Sequence, residues 1–174
     1  FIWSCGDKTK KISEIVEVDM EMQMSNAYKE GYFELQRGDV LLAAKKFNEA
    51  ELLFPQSSWA AKSAIMAAYA YYTQDYYSDS IFELERYLVT YPNHKDKAYA
   101  HFLLAMCFYE QIIDEKKDLK SILDSKGQFE TIIRDYPSTE FAMDAKFKID
   151  LINEILAAKE MYIARYYLKK TKWI

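Results

Sequence analysis

The sequence is poor both in residues that interrupt regular structure and in residues that carry out chemistry. Its 174 residues include only 4 Gly and 3 Pro. A sandwich or barrel needs turn residues roughly every 8 to 12 positions, and a doubly wound sheet needs them at each crossover. Both are excluded, and an all-α fold is expected. There are two histidines, His94 and His101, and neither has a carboxylate or second histidine at ligand spacing. No metal and no cofactor are therefore expected, and His101 reads as a helix-packing residue. No zincin, nucleophile-elbow or phosphate-loop pattern occurs, so an enzyme is not expected.

The two cysteines differ in kind and imply no disulfide framework: Cys5 lies in an N-terminal leader and Cys107 inside an apolar helical run. Cys107 reads as a small core hydrophobe. The acidic run from Glu14 to Glu21 has no Gly-centred loop and reads as a solvated tether or helix start rather than a calcium site. No charge of one sign dominates, since 23 basic and 27 acidic residues leave a net charge of -4. Nucleic-acid binding, which shows a basic stripe, is not expected. No stretch approaches the ~20 apolar residues of a membrane-spanning helix.

What the chain does have is aromatic residues and a repeated phrase. Apolar side chains make up 51% of it, with 15 Tyr and 10 Phe, enough for one domain with a substantial core. Each proline closes a similar phrase: Phe47 to Pro55 with Phe54 before the proline, Leu84 to Pro92 with Tyr91, and Phe129 to Pro137 with Tyr136. The large residue eight before the proline packs inward, and the proline ends the helix because it lacks an N–H and clashes with the preceding turn. Four residues ahead of each large residue stands a small one, Ala43, Ser80 or Ser125. Counting back 24 from the first two prolines gives Gly31 and Ala68, and an eight-residue insertion within 114–121 brings Ala105 into the third equivalent place.

Proline spacings of 37 and 45 fall near the period of helix-turn-helix solenoids and match half of the tetratricopeptide pattern. The expected architecture is a right-handed superhelix of antiparallel helix pairs at about 22–54, 58–91 and 95–136, with further helix over 139–170. Residues 1–21 form a tether, and 22–174 form the repeat domain. Asp39 and Ser138 are expected N-caps. Residues 147–156 are apolar on more than one face, and a repeat array normally ends in a polar cap. The sequence is therefore expected to be truncated at both ends.

In this register the first helix of each pair faces the concave side. Those positions hold Tyr28, Tyr32 and Leu35, then Lys62, Ile65, Tyr69 and Tyr72, then Tyr99, Phe102, Met106 and Tyr109. Any one ring could simply fill space between helices. A continuous stripe points instead to a groove for an apolar or aromatic peptide, because Tyr combines a large apolar face with a hydroxyl and is enriched in hot spots. At the N-terminus, Phe1 to Gly6 resembles a bacterial lipobox, with Cys5 as the residue acylated after signal-peptide cleavage.

Nearly the whole chain resembles the BamD family, lipoproteins of the bacterial outer-membrane β-barrel assembly machinery, in its alphaproteobacterial form. The residues that carry the resemblance are Glu83, Arg86, Tyr87, Leu88, Tyr91, Pro92 and His94; Ala98-Tyr99; Phe108-Tyr109-Glu110-Gln111-Ile112 with the charged insertion; Phe129, Ile133, Tyr136-Pro137-Ser138 and Ala142; and Ile163-Ala164-Arg165-Tyr166-Tyr167 with Lys169. The resemblance implies a non-catalytic periplasmic scaffold, lipid-anchored through Cys5 to the outer membrane. Gly6 is not the Asp that retains such lipoproteins in the inner membrane. It implies as partners the periplasmic domains of BamA, other lipoproteins of the complex, and the C-terminal segments of unfolded outer-membrane proteins. By the same resemblance Tyr162, Arg165, Tyr166 and Lys169 are candidate contacts with BamA. The alternative is a related envelope repeat protein that coordinates peptidoglycan synthesis with the Tol-Pal system.

Overall fold

In the computed structural model, residues 19–112 and 119–170 are described and form seven α-helices, with no strand among them. Their order is α1 (Met20–Arg37), α2 (Val40–Leu53), α3 (Ser58–Tyr72), α4 (Tyr77–Thr90), α5 (Lys97–Glu110), α6 (Leu119–Asp135) and α7 (Glu140–Lys169). Each helix packs mainly on its neighbours in sequence. The odd-numbered helices form the inner layer, and α5 also touches both α3 and α7. This is the expected solenoid of antiparallel pairs.

Local chemistry sets the helix ends. Asp19 caps α1 through the Glu21 N–H at 3.0 Å, so α1 starts two residues before the expected boundary. At the other end Gly38 adopts φ 84 and donates to the Leu35 carbonyl, while the Asp39 N–H reaches Glu34. This left-handed closure suits Gly, which has no Cβ to clash there. Asp39 then caps α2, as expected, accepting from the Leu42 N–H at 3.1 Å, so two residues turn the chain into its antiparallel partner. At α7 the expected cap is displaced by one. Thr139, not Ser138, accepts from the Ala142 N–H and also donates to the Tyr136 carbonyl, because the turn after Pro137 runs one residue further before the helix begins. Leu119 to Ser121 belong to α6, whereas the rest of the charged insertion lies outside the described residues.

The repeated phrase maps onto the core. Phe47, Leu84 and Phe129 are each fully buried, as are Ala43, Ser80 and Ser125. Gly31 lies so close to the Phe47 ring that a Cβ there would sit 2.9 Å from it. In the next two pairs the close approach is also hydrogen-bonded: Ser80 donates to the Ala68 carbonyl at 2.9 Å and Ser125 to the Ala105 carbonyl at 3.0 Å. These hydroxyls do more than make room, since each satisfies its own polarity on the partner helix. Cys107 is buried beside Ser80, and burial raises its thiol to about 11. His101 pairs with Gln128 across the third helix pair at 2.8 Å.

Candidate functional site

The aromatic residues of the expected stripe lie on α1, α3 and α5, in surroundings that run from an open end to a packed end. At the open end, Tyr28 of α1 meets Phe47 and Trp59 edge-on, each at 5.2 Å between centroids. Trp59 and Lys62 lie one turn apart on α3, which brings the Lys62 ammonium 4.6 Å from the indole centroid and 5.6 Å from the Tyr28 ring. A cation over aromatic faces is attracted by the ring quadrupole. Tyr32 and the neighbouring Phe33 are 49% and 56% exposed. With Tyr28, Lys29 and Gln36 they line a hollow of about 410 Å³. A second hollow of similar size lies between Glu21, Met24, Ser25, Tyr28, Lys29 and Trp59.

In the middle, Tyr69, Tyr72 and Tyr99 are half-buried over the core formed by α3, α4 and α5. Burial raises the Tyr72 and Tyr99 phenols, the latter to about 12. Both are therefore neutral at physiological pH and present a ring and a hydroxyl rather than a charge. A third hollow, about 410 Å³, links this region to α7, with Lys62, Lys95, Asp96 and Glu140 around Ile65, Tyr99 and Phe141. Neither Lys62 nor Lys95 has an ion-pair partner among the described residues. The hollow thus combines two ammonium groups with the two carboxylates of Asp96 and Glu140 around an apolar floor, and Lys62, which lies over Trp59 and Tyr28, is the cation on the side of the open end.

At the packed end, Phe102 lies 5.4 Å from Phe141 and 5.9 Å from Phe129, and Tyr99 lies 5.6 Å from Phe141. Tyr109 is half-buried, with the Lys148 ammonium 4.2 Å from its ring centroid. Ring contacts thus form one group at Tyr28, Phe47 and Trp59 and another at Tyr99, Phe102, Phe129 and Phe141, and the more accessible rings lie on the side of α1. Sequence reasoning missed Trp59, Phe141 and Lys148. Trp59 was findable from its three-residue spacing to Lys62, whereas Phe141 and Lys148 reach the stripe only through the packing of α7 on α5.

Tyr162, Arg165, Tyr166 and Lys169 are all exposed on the last third of α7. Their spacing places them on one helical face, where the Tyr166 ring lies 5.6 Å from Tyr167 and 5.5 Å from the Lys170 ammonium. Cys5 lies outside the described residues. None of the described helices is long and apolar enough to cross a membrane, and the described residues include no cluster of three or more His, Cys, Asp or Glu suited to a metal.

A model of the family YfiO, described as outer membrane lipoprotein, matches residues 20–174. The chain is 36% identical over 165 residues to a protein of Caulobacter vibrioides named outer membrane protein assembly factor BamD, covering 95% of this chain and 53% of that protein. It is 33% identical over 165 residues to the protein of the same name from Rickettsia prowazekii, covering 95% of this chain and 64% of that one. A BamD of Neisseria gonorrhoeae is similar at 26% identity over 168 residues. The chain spans between about half and two thirds of the length of these relatives.

Proposed function

The chain belongs to the YfiO family of outer membrane lipoproteins, and from that premise we propose that it is the helical-repeat body of a component that assembles β-barrel proteins in the outer membrane. Its relatives carry the name of assembly factor, which favours this role over coordination of peptidoglycan synthesis with the Tol-Pal system. It acts as a non-catalytic scaffold at the periplasmic face, anchored through acyl chains on Cys5, with BamA and other lipoproteins of the machinery as partners. The observation that carries the reading is the accessible aromatic surface at Tyr28, Tyr32, Tyr69, Tyr72 and Tyr99, with Lys62 beside it. An extended client segment ending in an aromatic residue would bury its ring against the neutral tyrosines and set its terminal carboxylate toward Lys62. Phe102 and Tyr109 support that surface from the side of α7. The exposed face of Tyr162, Arg165, Tyr166 and Lys169 serves as the contact with BamA.

The direct test is capture from detergent-solubilised envelope membranes, using the full-length acylated protein as bait. Recovery of a barrel protein with periplasmic domains is the expected result, and recovery of Tol-Pal components in its place would refute the assignment. The anchor is tested in parallel, because three acyl chains at ~0.8 kcal/mol per buried methylene hold firmly. Cys5→Ser, expressed with its signal sequence, should move the protein to the soluble fraction, and membrane association that persists without BamA would exclude Cys5 as the anchor.

A further inference from the structure

The first two helix pairs are joined on their outer side by a cluster of charged residues that the groove does not use. Arg86 of α4 forks onto Glu51 of α2 through two hydrogen bonds of 2.8 and 2.6 Å. Its Nε and Nη2 also donate to Glu83 at 3.0 and 2.8 Å. The remaining carboxylate positions are filled from both sides: Tyr91 donates to Glu51 at 2.7 Å and Asn48 to Glu83 at 3.0 Å. Glu51 and Glu83 are buried. Yet α2 and α4 are not close-packed neighbours, since α2 packs on α1 and α3, and α4 on α3 and α5. Side chains, rather than helix surfaces, therefore span the outer edge of this junction.

Between the two pairs α2 is well packed on α3, with Ala43, Ala44 and Phe47 in one buried cluster with Ala67 and Ala70, whereas the inner edge of the junction is loosely made. Direct helix-to-helix approach is seen between α3 and α5 and between α5 and α7, whereas α1 reaches α3 mainly through the Tyr28–Trp59 edge contact and Lys62. An edge-to-face pair of half-exposed rings can slide with little loss, but a bidentate guanidinium–carboxylate fork has one good geometry. The α2–α3 contact serves as the pivot, and the fork limits rotation about it at the outer edge.

We infer that Arg86 is a positioning residue for the concave face: by clamping α2 to α4 it sets the angle between the first two helix pairs, and with it the spacing between the Tyr28–Trp59 end of the stripe and the Tyr69–Tyr99 end. The geometry sets the size of the effect. With helix axes roughly 9 Å apart, replacing the direct bonds by water-bridged ones would let α2 draw away from α4 by about 3 Å. Pivoting on α3, the inner edge closes by a similar distance. The functional consequence rests on the peptide-groove reading above, but the change of angle does not.

The test measures that angle. In a Cys5→Ser chain, spin labels at Lys29→Cys and Lys95→Cys report the distance across the concave mouth, and Cys107 is too buried to take a label. Three variants are compared. Arg86→Lys keeps the charge but cannot fork onto both carboxylates. Arg86→Met removes the clamp outright. The triple replacement Glu51→Leu, Glu83→Gln and Arg86→Thr imports the residues found at the equivalent places of the next junction, Leu88, Gln128 and Thr131, and leaves no buried charge unpaired if Arg86→Met fails to fold. Ile132→Val, destabilising but remote in the third pair, controls for stability loss alone.

The expected result is a label distance shortened by about 3 Å, and broadened, in the triple variant, with a smaller change in Arg86→Lys and none in Ile132→Val. A wild-type distance in the folded triple variant would overturn the inference. Binding of a peptide from the C-terminus of an outer-membrane protein, measured on the same Arg86, Glu51 and Glu83 variants with Lys29 and Lys95 intact and unlabelled, separates the two claims. A shifted distance with unchanged affinity would uphold Arg86 as the angle-setting residue and count against the groove reading.

Discussion

The two junctions between successive helix pairs both have a hydrocarbon core, but their outer edges, at the same place in the repeat, are built from opposite chemistry. Counted from the buried Phe47, Leu84 and Phe129, the place of Glu51 is taken in the next junction by Leu88, that of Glu83 by Gln128 and that of Arg86 by Thr131. Leu88 packs against the core, Gln128 turns inward to His101, and Thr131 bonds back to its own helix at the Gly127 carbonyl. No ion pair links α4 to α6 among the described residues. Adhesion at the second junction rests on the core shared by α3, α4 and α5, where Ile65, Leu84 and Tyr87 pack with Leu103, Leu104 and Cys107, and on the direct approach of α3 to α5. The repeat thus dictates which positions face the neighbouring pair and leaves open whether charge or hydrocarbon fills them. The junction with the charged edge adjoins the open end of the aromatic stripe, and the junction without it adjoins the packed end.

This contrast can be broken by substituting equivalent positions. Arg86→Met leaves Glu51 and Glu83 buried without a counter-charge and should cost about 3–5 kcal/mol, whereas Thr131→Val, at the matching place on α6, should stay within about 0.5 kcal/mol. Denaturant unfolding of the two variants measures both, and equal losses would mean that the junctions are not built differently. A second pair sharpens the difference between the first and third repeats. Gly31→Ala drives a Cβ into the Phe47 ring and should cost about 1–3 kcal/mol by overpacking. Gly127→Ala meets nothing within 4 Å and should stabilise α6 by up to about 1 kcal/mol. Opposite shifts in melting temperature are expected, and shifts of the same sign would contradict the assignment of Gly31 to a close helix contact.

Much of this was legible in the sequence because the recurring signals have simple causes. Prolines end helices through lost hydrogen bonds and steric clash, and Phe47, Leu84 and Phe129 are buried where the phrase placed them. The same frame placed Tyr28, Tyr69, Tyr72 and Tyr99 on the inner helices. What was not legible depended on distance in sequence or on a single competing donor. Glu51 and Arg86 lie 35 residues apart, and nothing local marks either as the partner of the other, although Arg86 and Glu83 stand among the residues that carry the family resemblance. Ser138 looked as good a cap as Thr139 until the turn after Pro137 fixed which hydroxyl faced the Ala142 N–H. The division of the stripe into open and packed ends came from α7, whose Phe141 and Lys148 come to rest on the third pair only in the folded chain.

The central claim is that the concave rings receive the aromatic C-terminal residue of a client. The most direct measurement is titration of the folded protein with a peptide from the C-terminus of an outer-membrane protein and with the same peptide lacking its final Phe, repeated for Tyr69→Ala and Tyr109→Ala. The account predicts tighter binding of the complete peptide and a loss on the order of 2 kcal/mol, about thirtyfold, for Tyr69→Ala. Tyr109→Ala, whose ring supports the packed end, should lose less affinity and more thermal stability. Equal binding of the two peptides, or unchanged affinity in both variants alongside lowered melting temperatures, would contradict the claim and leave the rings as helix packing.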